Sequence, residues 1–281
     1  TFDLLEKIFG VYGVKTETAD FNDLEELEKT VEKLKPRVLV AETISNPLLK
    51  ICDIEKVAGI AHASGAKLIV DNTFASPFLC QPLNLGADFS VHSATKYLSG
   101  HGDATGGVVI SGDERDREKL FGIRKLVGGI LSVWEAHQIM RGIKTLALRV
   151  EKQCSNAQAL ADHFAKHDRI KKVYYPNLGD RESAAKILQR DLGGAIVTIK
   201  LKDNTREAAW RFMDSLNLCV RATSLGDVYT LVSHSATSSH RELSQEQRAA
   251  LGISEGVVRI SVGIENVTDI IADIEQALAK E

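Results

Sequence analysis

The sequence predicts an α/β protein with a mostly parallel sheet in its first part and a smaller α+β unit at its C-terminal end. Short β-branched runs alternate with helix-spaced segments through the first half, which implies right-handed crossovers and a sheet covered on both faces. A long helical stretch over 132–167, with Gly142 to bend it and no proline to stop it, then separates the halves. Past Asp168 several strand-like runs follow one another without a crossover helix, which favours antiparallel pairing. The expected division is 1–147 and 148–281, joined by the long helical stretch.

Each element has its own signal. Residues 2–9 (FDLLEKIF) read as an amphipathic helix; because that helix starts almost at Thr1, and Thr1 is not methionine, further sequence is expected upstream. Residues 23–34 are charged and leucine-spaced. Strands are expected at 37–42 (RVLVAE), 67–71 (KLIVD), 87–92 (ADFSVH) and 107–111, with a helix at 53–64. In the second half strands are expected at 172–175, 195–201, 218–222, 230–234 and 257–262, separated by two helical stretches and closed by a helix over 267–280.

Bulk properties exclude several function classes. The 281 residues are 44% hydrophobic, enough for a substantial core. Lys+Arg 35 against Asp+Glu 38 gives a net charge of -3 spread along the chain, so no basic surface for nucleic acid is expected. No apolar run approaches the roughly 20 residues that cross a bilayer, and no signal segment opens the chain, so a cytoplasmic protein is expected. Cys52, Cys80, Cys154 and Cys219 are far apart, without a CxxC pair, and read as reduced core residues. His92, His101 and Asp103 lie near one another, as do His234 and His240, but neither group has the i, i+4 spacing of a zinc helix and no metal is expected.

In a parallel α/β sheet ligands gather at the carboxyl ends of strands. There the sequence puts Asp71, closing the strand Val70-Asp71, and the run Ser93-Ala94-Thr95-Lys96. A carboxylate and a lysine are the pair that pyridoxal chemistry needs: one keeps the pyridine nitrogen protonated, the other holds the aldehyde and shuttles protons. Ser93 and Thr95 are spaced to turn their hydroxyls toward a phosphate while Lys96 faces the ring. The alternative reading of these residues is a strand-end aspartate, a surface lysine and capping hydroxyls.

The surrounding words favour the chemical reading. Glu42-Thr43-Ile44-Ser45-Asn46-Pro47, Ala61-His62-Ala63-Ser64-Gly65, Val70-Asp71-Asn72-Thr73-Phe74, Pro82-Leu83-Asn84-Leu85-Gly86-Ala87-Asp88, His92-Ser93-Ala94-Thr95-Lys96-Tyr97, Gly100-His101-Gly102-Asp103, Ser224-Leu225-Gly226 and Val258-Arg259-Ile260-Ser261-Val262-Gly263-Ile264-Glu265 follow in order. This series resembles the Cys/Met metabolism enzymes of the fold type I pyridoxal 5′-phosphate class: cystathionine γ-synthase, cystathionine γ-lyase, methionine γ-lyase and the homoserine-ester sulfhydrylases. The resemblance implies pyridoxal 5′-phosphate as cofactor, bound to Lys96, with Asp71 at the ring nitrogen and Ser93 and Thr95 at the phosphate. It places Asn46 at the phenolic oxygen and near the substrate carboxylate, Arg259 on that carboxylate, and Ser224 where it positions substrate and lysine. A guanidinium at residue 259 also suits a carboxylate on chemical grounds, since it grips one with two parallel hydrogen bonds.

The implied activity is γ-elimination or γ-replacement on a sulfur amino acid or activated homoserine, in a homotetramer. In the family a phosphate-binding glycine loop, a ring-stacking tyrosine and a segment reaching a neighbouring subunit precede the stretch that Thr1-Phe2-Asp3-Leu4 resembles. On the 281 residues alone the expectation is therefore weak cofactor retention and little turnover. The rival is a non-catalytic relic or assembly subunit of the same fold. Thr223 stands where cystathionine-specific members commonly carry glutamate, and Ser235 where many carry proline; Thr223 argues against a dedicated cystathionine enzyme and is compatible with a broader C–S lyase or a γ-replacement enzyme.

Overall fold

The computed structural model describes residues 3–179 and 181–280. Phe2, the first residue of the predicted N-terminal helix, lies outside them, as does Thr1. From Leu4 to Phe9 the chain forms a wide helical turn in which Gly10 N–H donates to Leu5 O, and none of those residues is buried. Helix α1 (Leu24–Leu34) begins where the Asp23 carboxylate accepts from Glu26 N, and it turns Leu27 and Val31 inward.

Four strands form the first sheet in the order β1 (Val38–Glu42), β2 (Lys67–Asp71), β3 (Phe89–Ser93), β4 (Gly107–Ser111). β1, β2 and β3 are parallel and β4 is antiparallel, so the sheet is mostly parallel as expected. α2 (Ile54–Ala63) is the crossover between β1 and β2 and buries Ile54, Val57, Ala58 and Ala61. A short helix α3 (Ser76–Leu79) follows β2.

β4 is followed by α4 (Glu114–Val127), which no sequence signal singled out and which buries none of its own residues. The expected long helix over 132–167 is two helices, α5 (Val133–Ile143) and α6 (Leu146–Phe164), broken at Lys144 and Thr145. A tertiary contact sets the break. A side chain on Gly142 would run into the carbonyl oxygens of Leu98 and Ser99, so α5 ends pressed on the turn after Lys96. Thr145 Oγ1 and Arg149 Nη2 both donate to Gly142 O and close the corner.

The second sheet runs β5 (Ile170–Tyr174), β6 (Ile196–Leu201), β9 (Val257–Ser261), β8 (Leu231–His234), β7 (Val220–Arg221). Every pair is antiparallel except β7 with β8. That exception has a cause: between β7 and β8 the chain leaves the sheet, reaches the Lys96 turn through Ser224, and returns in the same direction. Three helices, not the expected two, separate these strands: α7 (Arg181–Ile187), α8 (Arg206–Asp214) and the single-turn-scale α9 (Gln245–Ala250), before α10 (Val267–Leu278) closes the chain. α6 spans two cores. Val150 and Cys154 pack with the first sheet's core, while Ala157, Leu160, Ala161 and Phe164 pack with β6, β9 and α10.

Candidate active site

Three adjacent parallel strands open onto one edge. Asn46 lies just past the end of β1, Asp71 is the last residue of β2, and Lys96 follows the end of β3. The second sheet faces that edge with Arg259 from β9 and Ser224 from the β7–β8 excursion. Lys96 Nζ donates to Ser224 Oγ at 2.9 Å, joining groups 128 residues apart. Arg259 Nη1 donates to Asn46 Oδ1 at 3.1 Å, and Nη2 donates to the carbonyls of Thr223 and Ser224, both at 3.0 Å. The loop holding Asn46 is tied from the other side as well, because Thr198 Oγ1 of β6 donates to Pro47 O at 2.7 Å.

The charges are arranged for an anionic guest. Arg259 is 5% exposed, has no carboxylate partner among the described residues, and its Nε has no hydrogen-bond acceptor. A buried guanidinium left this way is costly unless a carboxylate arrives. Burial, and then the Arg259 charge, push the Lys96 amine below its ordinary range, so it is more readily deprotonated than a surface lysine.

Asp71 is held by Thr73, a residue the sequence analysis assigned no role. Asp71 Oδ1 accepts from Thr73 N at 3.0 Å and from Thr73 Oγ1 at 2.6 Å, while Ser93 N donates to the same hydroxyl at 2.9 Å. Thr73 therefore locks the end of β2 to the end of β3. Glu42, opposite Asp71 in the β1–β2 register, accepts from Asn46 N at 3.3 Å. Burial and the neighbouring Asp71 push the Glu42 carboxyl up. Thr95 Oγ1 is engaged with Gly106, accepting from its N–H at 3.0 Å and donating to its carbonyl at 3.4 Å, so it braces the Lys96 turn in this conformation.

The histidines have local partners. His92 faces Ser90 Oγ, His101 faces Ser99 O, His234 is held between Thr237 Oγ1 and Glu255 O, and His240 lies on Ser239 Oγ. Burial holds the Cys52, Cys80 and Cys154 thiols up at about 12, which makes them poor nucleophiles. The half-buried lysine, the strand-end carboxylate and the unpaired arginine together suit a cofactor with an aldehyde and a basic ring nitrogen plus an amino-acid substrate.

Comparison with known proteins gives the same assignment. The model of the Cys/Met metabolism PLP-dependent enzymes matches residues 1–279. An L-methionine gamma-lyase of Fusobacterium nucleatum subsp. nucleatum is 43% identical over 284 residues, covering 100% of this chain and 71% of the relative. A cystathionine beta-lyase of Bacillus subtilis is 38% identical over 279 residues, covering 99% and 71% respectively. Among solved structures, a cystathionine gamma synthase from Xanthomonas oryzae pv. oryzae superposes with a TM-score of 0.93 at 35% identity, covering 99% of this chain and 71% of that one.

Proposed function

Because the chain belongs to the Cys/Met metabolism PLP-dependent enzyme family, we propose that it breaks or exchanges the bond at the γ-carbon of a sulfur amino acid or an activated homoserine. The observation that carries this reading is the convergence of Lys96, Ser224, Asn46 and Arg259 on one cleft edge. The bound cofactor supplies an electron sink that makes the substrate Cα–H acidic. The chain's own residues do the rest.

Arg259 grips the substrate carboxylate. Its Nε is the unpaired donor, and its Nη1 is already aimed by Asn46. Asp71, oriented through Oδ1 by Thr73, holds a proton on the ring nitrogen, and Ser93 and Thr95 take the phosphate. To donate to a phosphate oxygen Thr95 gives up its long 3.4 Å bond to Gly106 O, while the bond it accepts from Gly106 N can stay. Lys96 anchors the cofactor and, when released, accepts the Cα proton at Nζ and returns it elsewhere on the substrate; Ser224 Oγ marks where the amine rests meanwhile. The Thr223 carbonyl helps to hold Arg259 in place.

The relatives named as methionine and cystathionine lyases favour a C–S lyase, with γ-replacement as the second exit. A catalytic role is favoured over a non-catalytic subunit by Arg259, a buried guanidinium that ties Asn46 to the Thr223 and Ser224 carbonyls yet leaves its Nε without an acceptor and has no carboxylate partner among the described residues. We also propose a division at 147/148 with the 132–167 stretch as connector, a homotetramer, and a cytoplasmic location, the last supported by four buried free thiols.

The test is to add pyridoxal 5′-phosphate to the purified protein, record its visible absorbance, and assay L-methionine, cystathionine, and acetyl- and succinyl-homoserine with and without sulfide. Turnover of at least one, slow on the 281 residues alone, is expected, with Lys96→Ala abolishing both the visible band and that turnover. An unchanged band in Lys96→Ala overturns the assignment.

A further inference from the structure

The excursion that brings Ser224 to Lys96 carries a second acidic group in its next turn. Asp227 is 3% exposed, and its Oδ1 has no hydrogen-bond partner. Its backbone is fixed, with Gln153 Nε2 donating to Asp227 O at 2.7 Å and Val228 N donating to Gly100 O at 3.1 Å. Gly102, at φ 67°, lets the loop after Lys96 close over it, since a Cβ there would lie 3.2 and 3.4 Å from the two carboxylate oxygens and 2.8 Å from Tyr229 Oη. Gly226, at φ 80°, lies against the backbone nitrogen of Tyr97, the residue next to Lys96. Two loops, one bearing Lys96 and one bearing Ser224 and Asp227, are thus clasped face to face.

The charges facing each member are few. Lys96 is faced by Arg259, which disfavours its positive form, and by Asp227, which favours it. Asp227 is faced by Lys96, His101 and Arg149 as cationic groups, by Asp103 as a like charge, and by the Tyr229 phenol. Arg149 does not form an ion pair with it: its Nη2 and Nε go to Gly142 O and Thr145 Oγ1, and its Nη1 has no acceptor. A carboxylate this buried, without an ion-pair partner, is costly to keep unless it answers a charge that comes and goes.

We infer that Asp227 is a positioning residue for the reaction, placed to stabilise the proton on the Lys96 nitrogen against the repulsion of Arg259. Burial holds the Asp227 carboxyl above its ordinary range against the opposing pull of Lys96 and His101, so its charge is tied to theirs. The proton that leaves the substrate Cα is carried on Lys96 Nζ as an ammonium until it is returned to the substrate. Asp227 opposes Arg259 during that interval, which makes the lysine a stronger base.

The inference rests on Lys96 being the cofactor-holding lysine, and its test separates the two. With the holoenzyme, the visible absorbance is titrated with pH, and exchange of the Cα proton of L-methionine into deuterated water is followed by NMR. Asp227→Asn removes a charge that favours the protonated nitrogen, so the titration midpoint falls by about one pH unit. The Cα exchange rate at neutral pH falls about three- to tenfold. Asp227→Glu restores both. Asp227→Ser carries the same expectation should the asparagine variant fold poorly. A midpoint that stays put or rises in the neutral variants, with a normal melting temperature, overturns the role of Asp227 alone. A wild-type protein that shows no visible band to titrate at saturating pyridoxal 5′-phosphate overturns the assignment of Lys96 and this inference with it.

Discussion

Arg259 joins almost everything in the cleft, because one planar guanidinium meets Asn46, Thr223 and Ser224 and keeps Nε in reserve. A lysine at this position has a single ammonium on a flexible stem and cannot serve three acceptors and a carboxylate together. Arg259→Lys is expected to raise KM about 30- to 100-fold while changing kcat much less, measured by steady-state kinetics on whichever substrate the wild type turns over. Equal losses in kcat with KM unchanged would contradict the role. Lys96 and Asp71 were legible in the sequence because each sits at or just past the end of a β-branched run, and strand ends form sites in parallel sheets; Asn46 entered only through the family resemblance. Thr73 and Asp227 were not legible. Thr73 acts through two short bonds to Asp71 and Ser93 that nothing but register creates. Asp227 depends on a loop that crosses from one sheet to the other.

Strands were easier to place than helices. β1, β2 and β4 lie within a residue of their expected bounds, since five-residue apolar runs leave little freedom of register. The expected strand over 218–222 shrinks to Val220–Arg221, because the chain turns out of the sheet to reach Lys96. The expected single helix over 132–167 fails for a tertiary reason: Gly142 permits α5 to press on the Leu98 and Ser99 carbonyls, and the helix cannot continue through that contact. Gly142→Ala is therefore expected to cost about 2 kcal/mol or more, read as a fall in Tm, even though alanine favours helix. A raised Tm would show that the contact does not set the break. The opposite sign is expected just past β8. Ser235 opens a single helical turn after His234, whose φ of -85° and ψ of 110° suit a residue before proline, and its buried Oγ has no partner. Ser235→Pro removes that hydroxyl and stiffens the unfolded chain, for a gain of about 1 kcal/mol in chemical denaturation.

At the scale of the whole molecule, one group of exposed side chains is apolar and uncovered among the described residues. Helix α4 buries none of its 14 residues, and Phe121, Ile123, Leu126 and Val127 on it are exposed together with Val133 and Trp134 at the start of α5. Leu126 is 88% and Val133 90% exposed. Such a cluster exceeds the scattered apolar residues of an ordinary monomer surface and has the aromatic and aliphatic make-up of an interface core. α4 escaped the sequence reading because its apolar residues form no inward stripe of the kind that periodicity detects. The proposed homotetramer supplies what covers it, and the cleft edge stands nearby, since α5 packs on the turn after Lys96. Assembly and activity should then be coupled through α5. The double variant Leu126→Glu, Trp134→Glu places two charges in a surface that would have to be desolvated on association. Its expected outcome in sedimentation velocity is a shift to smaller species with secondary structure intact, accompanied by weaker cofactor retention. Unchanged sedimentation would show that copies meet through another face, and reduced assembly with undiminished cofactor retention would show that α5 does not transmit the contact to Lys96.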